Sequence, residues 1–189
     1  SSDDPDRQNG MMVTFRLAGS ENAKKLAEFV DVLEVGVPGY EHQCKKHKPL
    51  YRGIYPDEML DCFDFAGHEK RFRKQIQDTR TAVYVIQSGG RAVGYVTLSR
   101  REGYKDFNVC MDSLYLVPEA QGRGIGRAAM EFVREQCREM GYSKFYHSCN
   151  PHNHRACAFY TAMGGQVGDR DDHNQDPAWD QWYYEYRLE

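Results

Sequence analysis

The run Leu114-Tyr115-Leu116-Val117-Pro118-Glu119-Ala120-Gln121-Gly122-Arg123-Gly124-Ile125-Gly126-Arg127 decides how this chain is read. An apolar, β-prone stretch stops at a proline and passes through glycines into a helix. Ile125, Ala129, Phe132, Val133, Cys137 and Met140 recur on one face of that helix, and Gly141 is placed to end it. Without side chains, Gly122, Gly124 and Gly126 let backbone N–H groups at the helix start approach an anion closely. The positive end of the helix dipole attracts it, and Arg123 and Arg127 add charge. The spacing suits a phosphate, though it also suits a glycine-rich helix start that binds nothing.

Two other phosphate loops fit less well. A nucleotide-hydrolysing loop carries Lys-Ser/Thr after its last glycine, where this chain has Ile125-Gly126-Arg127. A dinucleotide loop is spaced GxGxxG within a parallel βαβ unit, and the spacing here is GxGxG.

Outward from this segment the pattern is α/β. Val13, Phe15 and Leu17 alternate as in a half-buried strand, and Ser20 is placed to cap a helix carrying Leu26, Phe29, Val30 and Leu33. Residues 36–80 are broken by Gly36, Pro38, Gly39, Pro49 and Pro56, with short helices expected over 56–65 and 68–77. Strands over 81–86 and 92–99 join across Gly89-Gly90 as a hairpin, and another covers 107–117. Beyond the long helix, 143–149 reads as a strand, 154–163 as a helix and 181–188 as a final strand. That order describes a mixed central β-sheet flanked by helices.

A second segment, Asn150-Pro151-His152-Asn153-His154-Arg155-Ala156-Cys157-Ala158-Phe159-Tyr160-Thr161-Ala162-Met163-Gly164, completes the pattern. Residues 121–126 resemble the Q/R-x-x-G-x-G/A signature of the Gcn5-related N-acetyltransferases (GNAT). Asn153, Ala156, Phe159, Tyr160 and Gly164 fall on that family's N-x-x-A-x-x-F-Y-x-x-x-G motif, 32 residues beyond Gln121. The usual Gly-Phe ending is Gly164-Gly165 here. The resemblance is clear over 81–189 and holds only in outline before that.

It implies a GNAT acyltransferase-like fold, acetyl-coenzyme A as acyl donor, no metal, and an amine acceptor that is a small molecule or a peptide. By the same resemblance the backbone at Leu114, Tyr115 and Leu116 pairs with the pantetheine arm, and Leu116 N–H serves the oxyanion. Gln121, Gly122, Arg123, Gly124, Ile125, Gly126 and Arg127 hold the phosphates, and Asn153 and Tyr160 contact the cofactor. Tyr160 becomes the acid for the leaving thiolate; on spacing alone it belongs with Ala156, Phe159 and Met163 on a core face, as Asn153 alone would be an N-cap.

The base is open. Where family members often carry a glutamate this chain has Cys110, leaving Asp112, on a strand face shared with Cys110 and Leu114, and His147 as candidates, or ordered water. The missing glutamate also keeps alive a non-catalytic acyl-coenzyme-A-binding module. Transfer to a hydroxyl, or of a longer acyl chain, is likewise open.

Other features have plain readings. His42, Cys44 and His47 match no zinc spacing. His152 and His154 bracket Asn153 as ligand contacts or solvated positions. Asp169, Asp171, Asp172, Asp176 and Asp180, near Trp179 and Trp182, read as a solvated loop or as an attractor for a cationic amine. Tyr40, Tyr51, Tyr55 and Phe63 would wall the other side of an acceptor cleft.

At 189 residues the chain suits one domain, here 11–189 behind a polar tail or cloning remnant at 1–10. A net charge of −3, with no Lys/Arg block, argues against nucleic acid or an anionic membrane as partner. With no long apolar run and no CxxC pair among its six cysteines, the expectation is a cytoplasmic protein with free thiols. A homodimer is common in the family and required by nothing in this chain.

Overall fold

The computed structural model describes residues 12–35, 66–172, 177 and 180–188. Its elements are β1 (Val13–Leu17), α1 (Ala23–Val35), α2 (Ala66–Gln77), β2 (Thr81–Ser88), β3 (Arg91–Arg100), β4 (Val109–Leu116), α3 (Ile125–Glu139), β5 (Lys144–Cys149), α4 (His154–Ala162), β6 (Gln166–Asp171) and β7 (Gln181–Arg187). The strands form one sheet in the order β1-β2-β3-β4-β5-β7-β6. Only β4 and β5 run parallel; every other pair is antiparallel. This is the mixed α/β sheet expected. The 1–10 tail, the 56–65 helix and the aromatic wall at 40–63 lie outside the described residues.

Period-two strands give the sheet two apolar faces. On one, Ile86, Val96, Val109, Met111 and Phe145 pack against Ile125, Met130 and Val133 of α3. On the other, Val83, Val85 and Tyr95 pack against Leu26 and Phe29 of α1 and Phe72 of α2. A third cluster, Tyr104, Phe107, Cys110 and Tyr146, lies under the β3–β4 loop.

The register between β3 and β4 slips by one residue: Thr97 faces Ser113 but Leu98 faces Met111, so Asp112 is the extra residue of a β-bulge. The slip resets which way side chains point. Val109 and Met111, then Leu114 and Leu116, all turn to the α3 face, while Cys110 turns to the aromatic cluster. Leu114 therefore does not share the face of Cys110, because simple alternation does not survive a bulge.

Two other local expectations change. Ser20 begins a 3₁₀ turn (Ser20–Asn22) whose N-cap is Gly19, and Asn22 Oδ1 reaches back to accept the Gly19 N–H at 2.9 Å, so the serine cap expected is replaced by a bond from the third residue of the turn. Residues 166–171, where the sequence pattern marks no strand and the acidic end reads as loop, form β6. With one strongly apolar side chain it shows no alternation, which suits an edge strand paired only to β7.

α4 ends at Gly164, with φ +96°, and Arg134 of α3 donates to the Met163 carbonyl, placing a cation at the negative end of the helix. A Cβ on Gly165 would lie 2.8 Å from the Tyr186 hydroxyl and 2.9 Å from the Tyr160 carbonyl. The second glycine of Gly164-Gly165 is thus demanded by Tyr186. Gly165→Ala should cost about 1–3 kcal/mol of overpacking, read as a lower urea midpoint with unchanged slope.

Candidate functional site

β4 and β5 pair through Cys110 and Tyr146 alone. Past that point the strands part and leave a wedge. The Val117 N–H donates to Val93 O at 2.8 Å, and Tyr115 pairs with Tyr95, so by period two the backbone polar groups of Leu114 and Leu116 point away from β3 into the wedge. The Leu116 carbonyl is taken by Gln121 Nε2 at 3.1 Å, which leaves the Leu116 N–H on that side. Tyr115 spends its backbone on β3, so the pairing expected of 114–116 narrows to Leu114 and Leu116.

A cavity of about 590 Å³ fills this wedge, lined by Leu114, Tyr115, Leu116, Gln121, Gly122, Gly124, Gly126, Arg127, Cys149, Asn153 and Tyr160, among others. Gly122 (φ +73°) and Gly124 (φ +83°) adopt left-handed backbone, and open space lies where their Cβ atoms would be. The first intrahelical bond of α3 runs from Ala128 N–H to Gly124 O, so the N–H groups of Ile125, Gly126 and Arg127 have no helical acceptor. Such a row of N–H groups at a helix start has the geometry of an anion cradle. Ile125 buries its side chain, leaving only its N–H for the cradle, and Arg123 does not line the cavity.

Gly126 serves a different purpose. A Cβ there would sit 3.0 Å from Phe159 Cζ, so its absence lets α4 lie against the first turn of α3. This contact carries Asn153 and Tyr160 to the wedge. Asn153 Oδ1 accepts the Ala156 N–H at 3.3 Å, so it caps α4 and lines the cavity together. Burial, followed by Cys149, Tyr115, Cys157 and Tyr184 nearby, pushes the Tyr160 phenol above its ordinary value. It is a hydrogen-bond donor that stays protonated.

A smaller cavity, about 300 Å³, lies on the Cys110 face and is lined by Arg101, Tyr104, Cys110, Asp112, Tyr146, Ser148, Gln181 and Tyr183, among others. Asp112 and Ser148, one on each parting strand, line both cavities. The Asp112 carboxylate accepts Arg101 Nη1 at 2.9 Å. Cys110, at the place of the family glutamate, has its thiol pushed up to about 12 by burial and by Asp112, so it accepts no proton near neutrality.

His147 is 2% exposed and lines neither cavity. Its ring lies 4.0 Å from that of Tyr160. Nδ1 faces Ser148 O at 3.2 Å, so it carries the proton, and Nε2 accepts the Tyr186 hydroxyl at 2.8 Å. Burial lowers its pKa to about 4. That place sets the His147 ring against Tyr160, outside the lining of either cavity.

The acidic run is likewise engaged. Asp169 pairs with Lys105 at 3.6 Å, Asp180 with His152 at 2.9 Å, and Asp172 accepts Trp182 Nε1 at 3.1 Å. The β6–β7 hairpin does border the smaller cavity, among described residues through Gln181 and Tyr183. His152 and His154 line neither cavity. Asp176, Trp179, His42, Cys44 and His47 lie outside the described residues, among which no group of three His, Cys, Asp or Glu side chains gathers and no helix could cross a membrane.

The chain belongs to the acetyltransferase (GNAT) family, whose model matches residues 47–164. It is 25% identical over 113 residues to an uncharacterised N-acetyltransferase from the pepI 3′ region of Lactobacillus delbrueckii subsp. lactis, covering 58% of this chain and 65% of that protein. The PaiA N-acetyltransferase of Thermoplasma acidophilum, solved with coenzyme A, has a TM-score of 0.71 at 17% identity, covering 94% of this chain and 99% of that one. YncA from Salmonella typhimurium, solved with its cofactor acetyl-CoA, gives 0.63 at 16%, with 94% of each chain covered. A dodecameric spermidine N-acetyltransferase from Vibrio cholerae gives 0.60 at 13%, with 93% of each covered.

Because His147 is neutral in the fold and protonates near pH 6.5 when unfolded, stability should fall as pH drops from about 6.5 to about 4, by on the order of 3 kcal/mol, and then level. His147→Gln, which can still accept from Tyr186, should remove that part of the slope in urea titrations run across this range.

Proposed function

We propose that the chain is an acetyl-coenzyme-A-dependent N-acetyltransferase acting through one domain, residues 11–189, with the donor in the larger cavity and the acceptor amine in the smaller. The observation that carries this is the wedge between β4 and β5, where both cavities meet at Asp112 and Ser148. Coenzyme A suits the residues present. The glycine cradle and Arg127 take its phosphates, and the outward backbone of Leu114 and Leu116 accepts an extended arm as a further strand would.

The bound thioester supplies the activated acetyl group. Leu116 N–H donates to the acyl oxygen as charge gathers on it. The Tyr160 hydroxyl donates to the departing sulfur. Asp112, directly or through a water, takes the proton of the attacking amine, and Arg101 holds that carboxylate in place by its 2.9 Å hydrogen bond. The acceptor is a cationic amine of a small molecule or peptide, received by Asp112 and by the rings of Tyr104, Tyr146 and Tyr183 around the smaller cavity.

Thermal shift with coenzyme A, run beside thiol release from acetyl-coenzyme A across polyamines, amino acids, aminoglycosides and lysine peptides, tests this directly. Stabilisation with amine-dependent release is expected; stabilisation without release from any amine would leave a binding module. Tyr160→Phe should lower kcat about 10²-fold and leave the KM for acetyl-coenzyme A nearly unchanged. Equal kinetics would remove it as the acid. Asp112→Asn should lower kcat by a similar factor, and full activity would return the base to water.

A further inference from the structure

Cys149 ends β5 and Cys157 lies in the second turn of α4, and their sulfurs stand 3.9 Å apart. Both thiols donate to one carbonyl, Asn150 O, at 3.6 Å each. The turn between them is tied down: Asn153 N–H donates to Asn150 O and Cys157 N–H to Asn153 O, each at 3.0 Å. The pair is therefore held together by the same turn that caps α4. A disulfide bond is about 2.05 Å long, so the sulfurs need close by only about 2 Å.

The pair stands beside the donor chemistry. Cys149 lines the larger cavity with Tyr160, and Cys157 precedes Tyr160 by three residues, on the same side of α4. The other free cysteines described, Cys110 and Cys137, are buried, and neither has a sulfur contact with this pair.

We propose that Cys149 and Cys157 form a thiol–disulfide exchange site within the donor cavity, and that its oxidant is a disulfide of coenzyme A. This rests on the donor assignment of that cavity, which would bring the disulfide sulfur to Cys149. The Cys149 thiolate attacks one sulfur of coenzyme A disulfide. That S–S bond breaks, one coenzyme A leaves as a thiol, and Cys149 is left in a mixed disulfide with the other. Cys157, as thiolate, then attacks the Cys149 sulfur and releases the second coenzyme A.

The protein loses two electrons to the disulfide, and the two cysteine protons pass through solvent to the two thiols released. The new bond joins β5 to α4 beside Tyr160, stopping transfer until a thiol reduces it. Burial and the neighbouring Cys157 push the Cys149 thiol well above its ordinary value, so exchange is slow without delivery and accelerates as pH rises.

The test uses the full chain, reduced and desalted, incubated with coenzyme A disulfide or with glutathione disulfide at equal concentration. Free thiols are alkylated, bonds are located by peptide mapping, and a coenzyme A thermal shift is run in parallel. A Cys149–Cys157 bond should form at least about tenfold faster with coenzyme A disulfide, because binding raises the effective concentration at Cys149. Acetyl transfer should fall as the bond forms and return with dithiothreitol. Cys157→Ser should stop at a coenzyme A adduct on Cys149. Equal rates with both disulfides, or no bond between these two cysteines, overturns the proposal. The absence of any thermal shift with coenzyme A overturns instead the donor assignment beneath it, and this proposal falls with that.

Discussion

The parting of β4 from β5 is the constraint on which the rest depends. Adjacent parallel strands normally satisfy each other's backbone along their length, and here they do so only at Cys110 and Tyr146. The bulge at Asp112 increases the local twist of β4 and turns its carboxylate to the gap. The Leu114 backbone and the Leu116 N–H are left without a strand partner, while Gln121 takes the Leu116 carbonyl, and a protein keeps such groups only where a side chain, water or a ligand can meet them. The two cavities and the residues they share are consequences of that one departure from regular pairing.

Around the wedge, packing fixes position and leaves chemistry to very few groups. Tyr186 holds His147 by a hydrogen bond, His147 underlies Tyr160, and Gly165 makes room for Tyr186. On the far face, the Tyr104 hydroxyl donates to Glu185 at 2.6 Å and accepts from the Asp169 N–H at 3.0 Å, tying the β3–β4 loop to the β6–β7 hairpin. Burial would raise the Glu185 carboxyl, yet Lys105 and Tyr104 together hold it below its usual range. Both walls of the smaller cavity are therefore braced by neutral or paired groups, and among the described residues Asp112 has one salt link, to a mostly exposed arginine.

What could be read from the sequence was what is local. The glycine loop, the helix behind it and the Asn153 cap depend on residues a few positions apart, so spacing alone revealed them. Strand pairing joins distant residues, and the bulge at Asp112 leaves no mark in the order of side chains; the shared face assigned to Cys110 and Leu114 was lost there. β6 was missed because an edge strand wet on both sides need not alternate. His147 looked available by residue type, and only its place among three tyrosine rings showed it enclosed. The acidic run looked free, and Asp169 and Asp180 proved engaged with Lys105 and His152, which the sequence places far away.

Gly126 has a consequence beyond the fit of two helices. With Phe159 seated against the backbone of α3, the anion cradle and the Tyr160 hydroxyl belong to one rigid piece, and the span between them is set by a missing methyl group. The cleft thus works as a gauge. On the proposed placement of the donor, a molecule anchored by its phosphates would have its far end brought to a fixed depth, and only an arm of the right length would present its reactive atom at the tyrosine.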